Sequence, residues 1–295
     1  MTRTSWAAAA AVPLLLLLSA CGPQPSPGTV PLADGGPVGG LDADAVAIRV
    51  DHTGGFVPPE TIPSRLPVIT IYGDGRVLTQ GPVPAIYPGP ALPNLQQARI
   101  SPADVDALVQ RALDAGVGGG ADLGQPGVAD ATTTRIRVQA EDGVKQTEAY
   151  ALEMSDGDTM LTDAQKSARK KLSDLLAALS DLPATLGAGA VTEEGPFPIT
   201  TLAAIATPHA GQPSADLPAQ QPVAWPGPAL PGTRLSATVD VSCVTATGAE
   251  AEAVVAAARK ANAATPWTSG GKQWSVQLRP ILPDETGCDD LAKQG

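Results

Sequence analysis

A chain of 295 residues with 30 acidic and 19 basic side chains carries a formal net charge of −11. Such a chain has no electrostatic means of seeking nucleic acid or anionic lipid headgroups. Two histidines, His52 and His209, and three cysteines without a Cys-x-x-Cys pair leave a metal site short of ligands, and no cofactor is implied.

The first element is the apolar run from Trp6 to Ala20, preceded by Arg3. About 15 residues are too few for a bilayer-spanning helix, which needs roughly 20. A short basic region followed by an apolar one and small residues is the layout of a secretory signal. Its end, Leu18-Ser19-Ala20-Cys21, matches the bacterial lipoprotein box. The Cys21 thiol takes a diacylglyceryl group, and the small residues before it let a peptidase cut after Ala20. Each buried acyl methylene adds about 0.8 kcal/mol of membrane affinity, so a multiply acylated cysteine anchors firmly where one palmitate-length chain alone does not. The expectation is a signal peptide over 1–20 and a lipid anchor on Cys21, at the outer, extracytoplasmic face of the cell membrane. An ordinary signal peptide with an incidental cysteine is the other reading.

Residues 21–44 are rich in Gly and Pro with few large apolar side chains, the composition of a disordered tether spanning roughly 25 Å. From Ala45 the pattern becomes globular. "AVAIRV" (45–50) reads as a strand, and "VITIYGDGRVLTQ" (68–80) as a hairpin turning on Gly73-Asp74-Gly75. After a proline-rich loop, Ser101 is a natural N-cap and Pro102 suits a first helical turn. Val105, Leu108, Val109, Ala112 and Leu113 recur at helical spacing, and Gly116 offers a left-handed stop. Residues 132–152 form a second hairpin turning at Asp142-Gly143. Thr162 and Gln165 make a capping box for a helix whose stripe is Ala168, Leu172, Leu175, Leu176 and Leu179. This is the order of an α+β domain, 45–186, with an antiparallel sheet and helices on one face.

A linker, 187–198, precedes a smaller α+β domain, 199–295, of the same type. Its predicted strands are "ITTLAAIAT" (199–207), "RLSATVDVSCVTA" (234–246) and "KQWSVQLRPIL" (272–282), with a helix near 249–264. Trp274, Val276 and Leu278 share the core face of the last strand. Outside the cytoplasm Cys243 and Cys288 read as a disulfide, which constrains the unfolded chain by on the order of 4 kcal/mol.

Pro-Gly-Pro-Ala-Leu-Pro occurs twice, after Tyr87 and after Trp225. The two copies are either pre-ordered partner-binding surfaces or rigid crossover loops whose aromatic plugs a core edge. "WTSGGKQW" (267–274) likewise pairs Trp267 and Trp274 across a Gly-Gly turn, as a binding patch or as a core pair.

Catalytic patterns are sparse. Ser167-Ala168-Arg169-Lys170 spells Ser-x-x-Lys but lies inside an amphipathic helix, and Ser-Asp-Asn and Lys-Thr-Gly are missing from the sequence. Asp156, Asp158 and Asp163 cluster, yet they lack EF-hand spacing and read as a turn and a helix start; calcium is the alternative. The glycine-rich 116–124 follows a helix, the reverse of a phosphate loop. Asp130 before three threonines reads as a turn cap.

"GGFVPP", "TIYGDGRV", "GPVPAIYPGPALP", "GVADATTT", "TPWTSGGKQW" and "RPILPDE" together resemble uncharacterised lipoproteins of high-GC Gram-positive (actinobacterial) bacteria over nearly the whole mature chain. The N-terminal part is similar to an envelope-associated α+β domain of unknown function. The resemblance implies an envelope location and carries no catalytic residues.

The expectation is therefore a membrane-anchored, non-enzymatic module that binds an envelope protein or cell-wall component through Tyr87, Trp225, Trp267 and Trp274, with no nucleic acid partner. The alternatives are an extracytoplasmic hydrolase using Asp74, Asp130, Asp284 or Glu285, and an inhibitor-like or structural module presenting a rigid loop such as 82–95.

Overall fold

A computed structural model describes residues 40–154, 157–192, 195–211 and 219–294. The signal segment, Cys21, most of the tether and Asp156 lie outside the described residues. The chain is mixed α+β, with thirteen strands in two open, antiparallel-rich sheets and six helices among the described residues. The last residues of the 21–44 segment belong to the folded body: Leu41 packs against the core and Asp44 pairs with Arg76.

The first sheet uses β1 (Val46–Gly54), β2 (Ile69–Tyr72), β3 (Arg76–Gln80), β4 (Leu95–Arg99), β5 (Thr132–Ala140), β6 (Gly143–Tyr150) and β7 (Gly195–Pro196), in the order β6-β5-β1-β2-β3-β4-β7. Every neighbouring pair is antiparallel. Alternation along β1 sends Ile48 and Val50 to one face and Arg49 and Asp51 to the other. Ile48 stands between Val138 and Ile71, and Val50 between Ile136 and Ile69, so an apolar band crosses three central strands. Helices α2 (Pro102–Asp114) and α3 (Asp163–Ser180) cover that band with Val105, Leu108, Leu172, Leu175 and Leu179. Each such side chain contributes about 1.5–3 kcal/mol by leaving water.

The helix starts are local chemistry. Ser101 Oγ accepts from the Asp104 N–H at 3.2 Å, and Thr162 and Gln165 cap reciprocally. One α3 position departs from the predicted stripe. Arg169 is fully buried beside Leu172, and its Nη1 and Nη2 donate to Leu123 O at 3.0 Å and Ala151 O at 2.9 Å. Burial pushes its pKa down while the Asp158 charge opposes that. The helix thus holds the loop before β5 through a cation where the spacing predicts solvent.

Short helices α1 (Thr61–Ser64) and α4 (Leu182–Leu186) complete the first half. The second sheet comprises β8 (Thr201–Pro208), β9 (Val223–Ala224), β10 (Thr233–Arg234), β11 (Ser242–Thr247), β12 (Trp267–Ser269) and β13 (Lys272–Pro280), in the order β10-β11-β8-β13-β12-β9. The predicted strand over 234–246 is two: β10 pairs back on β11, with Thr233 opposite Cys243, and residues 235–241 loop between them. Helix α5 (Gly248–Ala258) ends six residues earlier than its alanine content suggests. It lays Ala251, Val254 and Ala258 on Leu202, Ala204 and Ala206 of β8, where small side chains on both elements allow close approach. On the opposite face the disulfide Cys243–Cys288, with Cα atoms 5.8 Å apart, ties α6 (Cys288–Leu291) to β11.

The turn after β13 joins the sheets. Leu282 enters a small core with Tyr72, Leu78 and Leu95. Asp284 Oδ1 accepts from Arg49 Nη2 at 2.6 Å and from the Tyr72 hydroxyl at 2.8 Å, while Arg49 Nε donates to Thr70 Oγ1. Burial works against the Arg49 charge, but Asp284, by hydrogen bond and Coulomb attraction, outweighs it and raises the Arg49 pKa. Burial first, and then the Asp284 charge, push the Tyr72 phenol far up, so it stays a donor. Arg279 donates to both Glu285 oxygens at 2.6 and 2.7 Å, with the two side chains 0% and 4% exposed, and its Nε reaches Arg65 O.

Removing one partner of such a pair leaves a buried charge uncompensated. Glu285→Gln is expected to lower unfolding free energy by about 3–5 kcal/mol in urea titration. An unchanged midpoint would mean that the carbonyls of Arg65 and Pro280 suffice for Arg279.

Candidate functional site

Three of the four aromatics predicted as partner contacts are core side chains. Trp267 and Trp274 face each other across the β12–β13 hairpin, and Trp225 meets Trp267 edge-on with ring centroids 5.4 Å apart. Trp267 is 1% exposed, and Trp225 and Trp274 are buried as well. The indole N–H of Trp225 donates to Pro228 O at 2.7 Å and that of Trp274 to Ser269 O at 3.4 Å. Large amphipathic rings with an internal acceptor belong inside. Trp225, Trp267 and Trp274 are thus corrected from surface contacts to the packing of the second sheet. Tyr87 differs, at 68% exposure.

Of the candidate carboxylates Asp74 and Asp130 lie at opposite ends of β1, and Asp284 and Glu285 are held by arginines. Asp74 sits in the β2–β3 turn, accepting from the Arg76 N–H at 3.0 Å and Arg76 Nε at 2.8 Å. Asp130 precedes β5 at the other end of β1, exposed, with a positive φ of 58°. Nine strand residues separate those ends, about 25 Å or more. Asp284 and Glu285 are sequence neighbours, each engaged by its own buried arginine. Asp284 accepts through Oδ1 and Glu285 through both oxygens. Among the described residues no group of three or more His, Cys, Asp and Glu side chains is placed to hold a metal ion. Asp158, from the acidic cluster, accepts instead from the Gly127 and Met160 N–H groups, which lower its pKa.

What the structure does present is a braced loop between β3 and β4. Its base is closed by the Gly81 N–H on Asn94 O at 2.7 Å and by Asn94 Nδ2 on Pro82 O at 2.8 Å. Its second half is pinned to the other sheet: Gly89 O accepts from the Ala263 N–H at 2.8 Å, Pro90 bridges Asn262, and Ala91 and Leu92 pack on the second core. Between these anchors Val83, Ile86 and Tyr87 point outward, Ile86 at 64% exposure. Prolines at 82, 84, 88 and 90 restrict the intervening backbone.

The two Pro-Gly-Pro-Ala-Leu-Pro copies converge on one core and diverge in everything else. Leu92 and Leu230 both pack with the second sheet. The Tyr87–Pro88 bond is cis in the first copy and the Leu230–Pro231 bond in the second. The aromatic ahead of the motif is exposed in the first copy and buried in the second. Val83 and Ile86 carry no sequence signal beyond being apolar in a proline-rich run; only their surroundings mark them.

Comparison with protein-family models, with curated proteins and with solved structures finds no match for the chain.

The contrast between core and loop aromatics has a direct measure. Trp267→Ala is expected to cost about 3–5 kcal/mol of stability, whereas Tyr87→Ala stays within about 0.5 kcal/mol of wild type. Urea unfolding of both variants reads this, and equal effects would place Tyr87 in the packing too.

Proposed function

We propose that the protein is a lipid-anchored, extracytoplasmic binding module of the uncharacterised actinobacterial lipoprotein type, and that it engages an envelope protein through the 82–87 loop. The observation that carries this reading is the loop itself. Exposed apolar side chains on a backbone held at both ends lose little conformational freedom when a partner covers them, so more of the contact energy survives as affinity. A proline-restrained segment with exposed apolar side chains suits a partner with an apolar groove, the geometry in which Pro-rich chains are recognised. The lipoprotein box at Cys21 supports the anchor, and an oxidised cysteine pair is at home outside the cytoplasm. Residues 22–39 supply a spacer composition between anchor and body.

Two measurements test it. Cys21→Ser is expected to release the protein from the membrane fraction and abolish palmitate labelling; a variant that stays bound and labelled overturns the anchor. A photo-crosslinker at position 86, used on intact cells, should capture a defined partner whose yield falls at least about tenfold with Tyr87→Ala plus Val83→Asp. Val144→Asp, on the exposed β6 strand, serves as the control that leaves capture intact. A partner set indifferent to the loop substitutions sinks the assignment.

A further inference from the structure

A cleft of about 580 Å³ opens between the two sheets, independent of the outward face of the 82–87 loop. Leu66 and Val68 from the first half and Val276 and Leu278 of β13 give it an apolar floor, and Ser64, Thr132 and Gln277 add hydroxyl and amide groups. Its size falls in the range of small-ligand sites, about 300–1,000 Å³. A smaller hollow shares His52, Arg65 and Leu66 with it and continues to Asp51 and Arg135.

The charge in this cleft runs against that of the chain. Among the described residues no acid lines it, and its charged side chain is Arg65. Arg65 Nη1 donates only to the neutral carbonyls of Gly54, at 2.7 Å, and His52, at 3.4 Å, and Arg65 makes no ion pair among the described residues. Next to it Asp51 is shared by Arg137 at 2.8 Å and Arg135 at 3.5 Å. The Nε atoms of both these arginines are buried without a hydrogen-bond partner. Two guanidinium groups thus share one carboxylate, and Arg65 stands beside them without one of its own. Other acids near this end are exposed: Glu153 is 73% exposed and 3.9 Å from His52 Nε2, Glu148, opposite Arg135 in register, accepts from Gln146, and Asp130 lies beside Gly55 near Arg65. A guanidinium in a cleft with apolar walls and no carboxylate is matched by an oxyanion on an apolar body.

We propose that the inter-sheet cleft binds a small organic anion, its carboxylate or phosphate on Arg65 at the His52 end and its apolar body against Leu66, Val68, Val276 and Leu278. This site is separate from the partner-binding loop, and neither requires the other.

The test is calorimetric titration of the full-length protein with 4-phenylbutyrate, with 4-phenylbutanol as its neutral counterpart, and with inorganic phosphate. The acid is expected to bind at one site per chain, about tenfold or more tighter than the alcohol. Arg65→Gln should weaken the acid by a similar factor and leave the alcohol unchanged. Ala263→Phe adds a ring to an exposed position of the cleft lining, and it should abolish both. Equal binding of acid and alcohol to wild type, or no binding of either, overturns the proposal whether or not Arg65→Gln folds. Inorganic phosphate binding as tightly as phenylbutyrate overturns the apolar-body half of it.

Discussion

The joint between the sheets rests on five polar side chains in a short space. Arg49, Tyr72 and Asp284 meet on the polar face of the first sheet, and Arg279 and Glu285 close behind them. Everything that lies between the sheets depends on this contact. It sets the distance across which Leu282 reaches Tyr72 and Leu78, and it sets the gap that forms the cleft. Buried ion pairs add little net stability over an apolar isostere, because desolvation offsets the Coulomb gain. What they impose is geometry, since a guanidinium fork accepts its carboxylate in few orientations.

The segment carrying Asp284 and Glu285 is held at both ends. β13 leads into it, and Cys288 is tied to β11 just beyond it, with Thr245 bonded to the same corner. A turn of this length would sample many conformations alone. Restrained by a strand and a disulfide, it presents two carboxylates to two arginines with little further entropic cost. The 81–94 loop repeats the scheme on the other side of the joint: its base belongs to the first sheet and its second half to the second. Loop and cleft are thus both products of sheets that come together in one orientation.

Much of the local structure follows from nearest neighbours in the chain. Ser101-Pro102 and Thr162 with Gln165 start helices because their side chains satisfy N–H groups within three residues. The two hairpins of the first sheet turn where Gly and Asp tolerate the backbone, and in the second sheet the alternation at Trp274, Val276 and Leu278 matches the buried face. The Cys243–Cys288 pair follows from counting. Errors begin where a distant element decides. Arg169 lies in an apolar stripe because the carbonyls of Leu123, Tyr150 and Ala151 accept from it there. The 234–246 stretch breaks because Thr233 finds a partner ten residues on, at Cys243.

The candidate sites divide along the same line. Aromatic residues beside glycine and proline are conspicuous in the chain, but whether an indole is covered depends on what packs over it. Trp225 and Trp267 cover each other across about forty residues, while Tyr87, in a matching hexapeptide context, has nothing above it. Carboxylates likewise look alike until their arginines are known, and Arg65 stands out only once the fold shows its Nη1 bonded to carbonyls instead of a carboxylate. Caps, turns, alternation and the lipoprotein box are short-range chemistry, readable from residues a few positions apart. Burial, ion pairing and the cleft are sums over segments brought together from as far as Arg49 and Asp284, and only the folded chain sets those sums.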